Sequence, residues 1–150
     1  MVRDFYKDNF DIELYNYVRP DDWWINGLNL YEDNFAREGF RTIDVPFRDI
    51  RIGDCFLIAI PDPRTRITPT NHIAIYVGDG KVIHHLLGRL SCEVPYKGML
   101  RNYTTCIIRH RHAGELNIPK ESDMDMRQLI LPAKRRLIDN VIKDSNKPTS

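Results

Sequence analysis

Asn71-His72-Ile73-Ala74-Ile75-Tyr76-Val77-Gly78-Asp79-Gly80-Lys81-Val82-Ile83-His84 is the stretch from which the fold follows. Two apolar runs flank Gly-Asp-Gly, and Asp79-Gly80 suits a tight turn because both residues tolerate positive φ. The runs predict a β-hairpin, with His72 opening one strand and His84 near the end of the next. Residues equidistant from the turn become cross-strand neighbours, so the two imidazoles are expected to face one way. Such a pair suits a general base and the partner that orients it. Taken alone, it also reads as two partly exposed polar residues at strand ends.

Other short apolar runs surround the hairpin. Gly53 to Ile60 has the pattern of a buried strand, and Leu90 to Val94 and Tyr103 to Arg109 are two further strand candidates. Upstream the period is helical. Val2, Phe5, Tyr6 and Phe10 recur at helix spacing. Asp21-Asp22 can cap a second helix whose buried face would carry Trp24, Leu28, Tyr31 and Phe35, with Gly39 as its stop. Trp23 and Trp24 read first as core packing. A helical N-terminal third followed by a meander of about five strands defines an α+β order. From Gly114 to Asp123 the chain reads as an extended arm, and Met126 to Ile142 as one amphipathic helix. That extension would pack on a neighbour or on its own domain. Ser145 to Ser150 reads as a frayed tail.

With 150 residues the chain can form one cored domain, and 42% hydrophobic with 29% charged residues is a globular composition. Lys plus Arg number 22 against 21 Asp plus Glu, so bulk electrostatic binding of a polyanion such as nucleic acid is not expected. No apolar run reaches the ~20 residues of a membrane span. Met1-Val2-Arg3-Asp4 is charged too early for a secretory signal. Cys55, Cys92 and Cys106 contain no C-x-x-C pair, which speaks against a disulfide framework or zinc knuckle. His110 and His112 share one side of an extended segment. They could join His72 or the His84–His85 pair around a metal, but no Asp or Glu stands at ligand spacing, so both are expected at the surface.

The segment Asn71 to His84 resembles the core motif of the NlpC-type cysteine peptidases, in which a polar residue and a His open a strand, Tyr-x-Gly ends it, and a second His follows twelve residues after the first. Gly53-Asp54 is similar to that family's strand start. Asp21-Asp22-Trp23-Trp24, Gly27 to Tyr31, Asn34-Phe35, Gly39-Phe40, His84 to Ser91 and Ile108 to Arg111 resemble the family's phage tail-tip assembly branch. The resemblance covers residues 1–112 and leaves 113–150 as an extension. It implies a papain-like core in which N-terminal helices pack on the antiparallel sheet, and no cofactor.

It also implies that His72 is the remnant base and His84 its orienting residue. The family's nucleophilic Cys aligns three residues before Met1. Cys55, Cys92 and Cys106 lie in predicted strands, where burial disfavours a thiolate. The expectation is therefore a catalytically silent structural or assembly component of a phage tail tip, located in the virion and in the host cytoplasm during assembly. Its partners would be other tail-tip or baseplate proteins, with peptidoglycan as a further one. Trp23, Trp24, His85 and Arg89 are candidate binding residues, with the strip Leu87 to Leu90 beside them. The alternative is an active endopeptidase of peptidoglycan stem peptides whose thiol comes from another cysteine, a partner chain or an upstream start. A third reading keeps the groove for binding glycan or peptide without turnover.

Overall fold

A computed structural model describes residues 1–86 and 88–113. The arm after Gly114, the helix Met126 to Ile142 and Leu87 of the 87–90 strip lie outside the described residues. Six strands form one antiparallel sheet: β1 (Phe40–Ile43), β2 (Cys55–Ile58), β3 (His72–Gly78), β4 (Lys81–His84), β5 (Cys92–Pro95) and β6 (Thr104–His110), in the order β1-β6-β2-β3-β4-β5. Among the described residues three short helices accompany them: α1 (Val2–Phe10), α2 (Leu30–Asn34) and α3 (Met99–Asn102), with a 3-10 turn at Phe47–Asp49. No helix among the described residues is long and apolar enough to cross a membrane.

The hairpin forms as its turn chemistry requires. Asp79 and Gly80 take φ of 51° and 67°, and β3 pairs with β4 so that Ala74 faces His84 and Ile75 faces Ile83. The sixth strand, β1, was not anticipated. It is only four residues long and pairs with β6, Phe40 opposite His110. Its pattern of one buried residue followed by exposed Arg41 and Thr42 is too short for a period to stand out.

Helix content is lower than the apolar spacing suggested. After α1 the chain runs without regular structure to residue 20, and residues 21–27 form turns. Asp22 is left-handed at φ 50°, so the Asp21-Asp22 pair opens a turn instead of a helix. Asn29 is the actual cap, accepting from Glu32 N at 3.4 Å, and α2 spans five residues only. The aromatic spacing there reflects tertiary packing: Trp23, 5% exposed, meets Tyr31 edge-on at 5.7 Å.

Both faces of the central strands are covered, which is why β2 and β3 read as continuous apolar runs. Leu57 pairs with Ile73 and Cys55 with Ile75 on one face. There α1 docks through Tyr6 and Phe10, and the Tyr6 hydroxyl donates to the Gly53 carbonyl. Gly53 sits at φ 91°, and a Cβ on it would stand 2.7 Å from the Phe10 ring. Phe56, Ile58, Ala74, Tyr76 and Val82 form the other face, covered by Ile50 and Leu100. Asp54, fully buried at the start of β2, receives both Arg109 Nε at 2.7 Å and Nη2 at 2.6 Å. It also receives Arg51 N at 2.8 Å, so the charge is paired and hydrogen-bonded as burial demands.

Candidate functional site

β3 begins where Asn71 ends the loop after β2. The Asn71 amide bonds both Ile60 N and Ile60 O at 2.9 Å, which extends the β2–β3 ladder by a side chain and fixes the position of His72. His72 Nε2 lies 3.1 Å from His84 Nδ1 with the rings at 89°, one nitrogen donating and the other accepting. Both residues are buried, at 8% and 5% exposure, so the alternative of two partly exposed strand-end residues does not hold.

Burial, then the charges of His84 and His85, lowers the His72 pKa to about 4. Burial and then His85 lower that of His84. The same burial thus favours the neutral form of both rings. His72 also borders a cavity of about 530 Å³ shared with the first turn of α1, the segment Leu14–Arg19, Tyr31, His85 and Leu90. Nε2 is taken by His84, which leaves Nδ1 as the second ring nitrogen of His72.

No thiol among the described residues bonds to His72. Cys55 is fully buried under Tyr6, 3.5 Å from its hydroxyl, and burial pushes its thiol up to about 12. Cys106 is half-buried on β6, its pKa raised first by burial. Cys92 is exposed on the edge strand β5 as the register partner of His84, with no hydrogen bond between the two.

The other candidates separate. His85 lines the cavity and pairs loosely with Ser91 Oγ at 3.4 Å. Arg89 is exposed in the β4–β5 loop and is not among the residues that line the cavity. Trp23 is buried and offers no binding surface. Trp24 is half-buried and donates its indole N–H to Asp62 at 2.9 Å, tying the 21–27 turn to the loop after β2. The placement of His110 is a correction. It is 4% exposed and packs edge-on against Phe40 at 5.0 Å, because β6 carries it under α1. His112 alone of that pair is exposed. Among the described residues no three His, Cys, Asp or Glu side chains gather as a metal-binding set.

Two contributors were missed. The segment Leu14–Tyr17 walls the cavity, held where Glu38 accepts Tyr17 Oη at 2.6 Å and Tyr15 N at 2.9 Å. Glu32 accepts the buried Thr70 hydroxyl at 2.5 Å just before Asn71. Neither pairing leaves a signal in sequence, since 21 and 38 positions separate the partners.

A hairpin-borne His pair, a Gly-Asp strand start and an N-terminal helix laid on an antiparallel sheet make up an α+β domain. The family model for NlpC/P60 matches residues 1–109, and the chain belongs to that family. It is 38% identical over 104 residues to tail tip assembly protein K of Escherichia phage lambda, covering 67% of this chain and 47% of that protein. To tail tip assembly protein K of Escherichia phage N15 it is 30% identical over 113 residues, covering 74% of this chain and 43% of that protein. The chain thus spans somewhat under half the length of the curated relatives it matches.

Proposed function

We propose that this chain is a phage tail-tip assembly component, built on a papain-like NlpC/P60 domain whose own residues are catalytically silent. The observation that carries the assembly role is the similarity to two tail tip assembly proteins over 104 and 113 residues. In this reading residues 1–112 are the peptidase-like domain and 113–150 an extension toward other tail-tip or baseplate proteins. The protein resides in the virion tail, after assembly in the host cytoplasm.

The silent reading rests on the site's own chemistry. A cysteine protease needs a thiol of lowered pKa against its base. Here Cys55 is buried and raised, while Cys92 and Cys106 make no bond to His72. A base held near 4 also has little drive to take a thiol proton at neutral pH.

A second reading is favoured by the intact His72–His84 pair at the border of the cavity. A thiol brought there from outside these 150 residues would meet a neutral, oriented imidazole, and the product would be an endopeptidase of peptidoglycan stem peptides. In the step, the thiol sulfur attacks the peptide carbonyl while His72 takes its proton. His72 then returns that proton to the leaving amine, and water hydrolyses the thioester.

The test has two arms. Purified phage should contain the chain at the tail tip by immunogold labelling, and loss of its gene should stop tail completion. Incubation of the purified chain with peptidoglycan fragments should give no iodoacetamide-sensitive cleavage. Absence from particles with normal tails overturns the assembly role, and thiol-dependent cleavage overturns the silent reading.

A further inference from the structure

The sheet's two faces are covered very differently. Leu57, Ile73 and Ile108 line the cavity on one face. Among the described residues, the opposite face, with Phe56 and Tyr76, is covered by the three-residue turn Phe47–Asp49 with Val45 and Ile50 beside it, the four-residue α3 and Tyr96. Phe47 lies parallel to Tyr96 at 5.7 Å and 4°, and Tyr96 stacks in turn on the buried Phe56 at 4.1 Å. The outer side of this thin roof stays apolar: Phe47 is 48% exposed, Met99 44% and Tyr103 42%.

The same roof is basic. From Val94 to Ala113 there is no Asp or Glu, against Lys97, Arg101, Arg109 and Arg111. Arg109 is consumed by Asp54, but Lys97 and Arg101 make no ion pair among the described residues. Arg101 lies close enough to act on the Tyr96 hydroxyl. Arg48, 83% exposed beside Phe47, touches only its neighbour Asp49 at 4.0 Å. Exposed aromatic, Met and Arg side chains are the residues enriched in protein interfaces. An unpaired cationic rim selects an acidic partner by complementarity and steers its approach.

We propose that Phe47, Arg48, Lys97, Met99, Arg101 and Tyr103 form a docking surface for an acidic, apolar-anchored segment of a neighbouring tail protein. The proposal rests on the tail-tip reading and adds to it a surface and a partner chemistry. The apolar side chains supply the buried centre of the contact, and the three cations pair with carboxylates at its rim. None of these six residues lines the cavity that His72 borders.

The test uses the full chain in assembling phage. The triple variant Arg48→Glu, Lys97→Glu, Arg101→Glu is compared with the charge-conserving Arg48→Lys, Lys97→Arg, Arg101→Lys. All six changes are on exposed side chains, and circular dichroism checks that both variants fold. The charge-reversed chain should enter particles at least tenfold less than wild type, while the conserved-charge chain enters normally. A photo-crosslinking amino acid at position 103 should capture one tail protein at a segment containing Asp or Glu. Reversing those acidic residues should rescue the triple variant. Normal incorporation of a folded charge-reversed chain overturns the proposal, as does a cross-link to DNA, to a basic segment, or to no tail protein. If the wild-type chain itself is missing from particles, the tail-tip reading has failed instead.

Discussion

His72 Nε2 and His84 Nδ1 meet at 3.1 Å across the β3–β4 hairpin, both rings buried and both lowered in pKa by that burial. The pair is a buried, hydrogen-bonded couple, held by Asn71 at one end and by the Asp79-Gly80 turn at the other.

This burial carries a pH signature. The folded His72 pKa of about 4 lies below its usual 6.5, so the unfolded chain takes up protons first as pH falls. The contribution to stability is complete above pH 6.5, is lost between 6.5 and 4, and is flat below. At 1.36 kcal/mol per unit the loss is on the order of 3 kcal/mol. His84 and His110 add in the same direction. Urea midpoints at pH 7.5 and 4.5 should differ more for the wild type than for His72→Gln. Equal differences would show that His72 does not carry the effect.

Asp54 and Arg109 should behave as a coupled unit. Arg109→Met leaves a fully buried carboxylate without its guanidinium, a loss of about 3–5 kcal/mol. Asp54→Leu combined with Arg109→Met should lose clearly less than the sum of the singles. A double-mutant cycle by urea denaturation measures this, and additivity would contradict the pairing.

Two glycines separate backbone strain from packing. Gly80 at φ 67° has open space where a Cβ would stand, so Gly80→Ala should lose only the left-handed penalty of about 1–2 kcal/mol. Gly53→Ala adds a 2.7 Å contact with the Phe10 ring and should lose more. Equal shifts in melting temperature would contradict the close seat of α1 on the sheet.

The three thiols should label in the order of their surroundings. Iodoacetamide should modify the exposed Cys92 first and the half-buried Cys106 more slowly, and reach Cys55 only on unfolding. His72→Ala should leave the Cys92 rate unchanged, because no thiol is bonded to His72. A large rate change, read by mass spectrometry, would reveal a coupling absent from this geometry.

What could be read in the chain depended on distance along it. The β3–β4 hairpin was legible because a two-residue turn joins two apolar runs. The facing of His72 and His84 depends instead on the register shift between Tyr76 and Gly78, which makes Ala74 the partner of His84 where the turn alone would have placed Ile75. The buried β2 run was legible because both sheet faces are covered. Local apolar spacing misled at Trp24, Leu28, Tyr31 and Phe35, where aromatic side chains pack between turns and a single helical turn. Histidines at the end of a strand gave no indication of burial, and His110 proved to lie beneath Tyr6 and Phe40.

Sequence alone was sufficient for the hairpin and the α+β order, since each follows from nearest-neighbour backbone preferences and a fixed period, whereas the meeting of the two imidazoles needed the register shift between Tyr76 and Gly78. Tertiary structure decided the rest. It settled that the imidazoles are desolvated, that Asp54 finds Arg109 across 55 positions, and that no thiol reaches His72 among the described residues. Those outcomes depend on which distant side chains a folded sheet and its covering helix bring into contact, and sequence spacing carries no term for that.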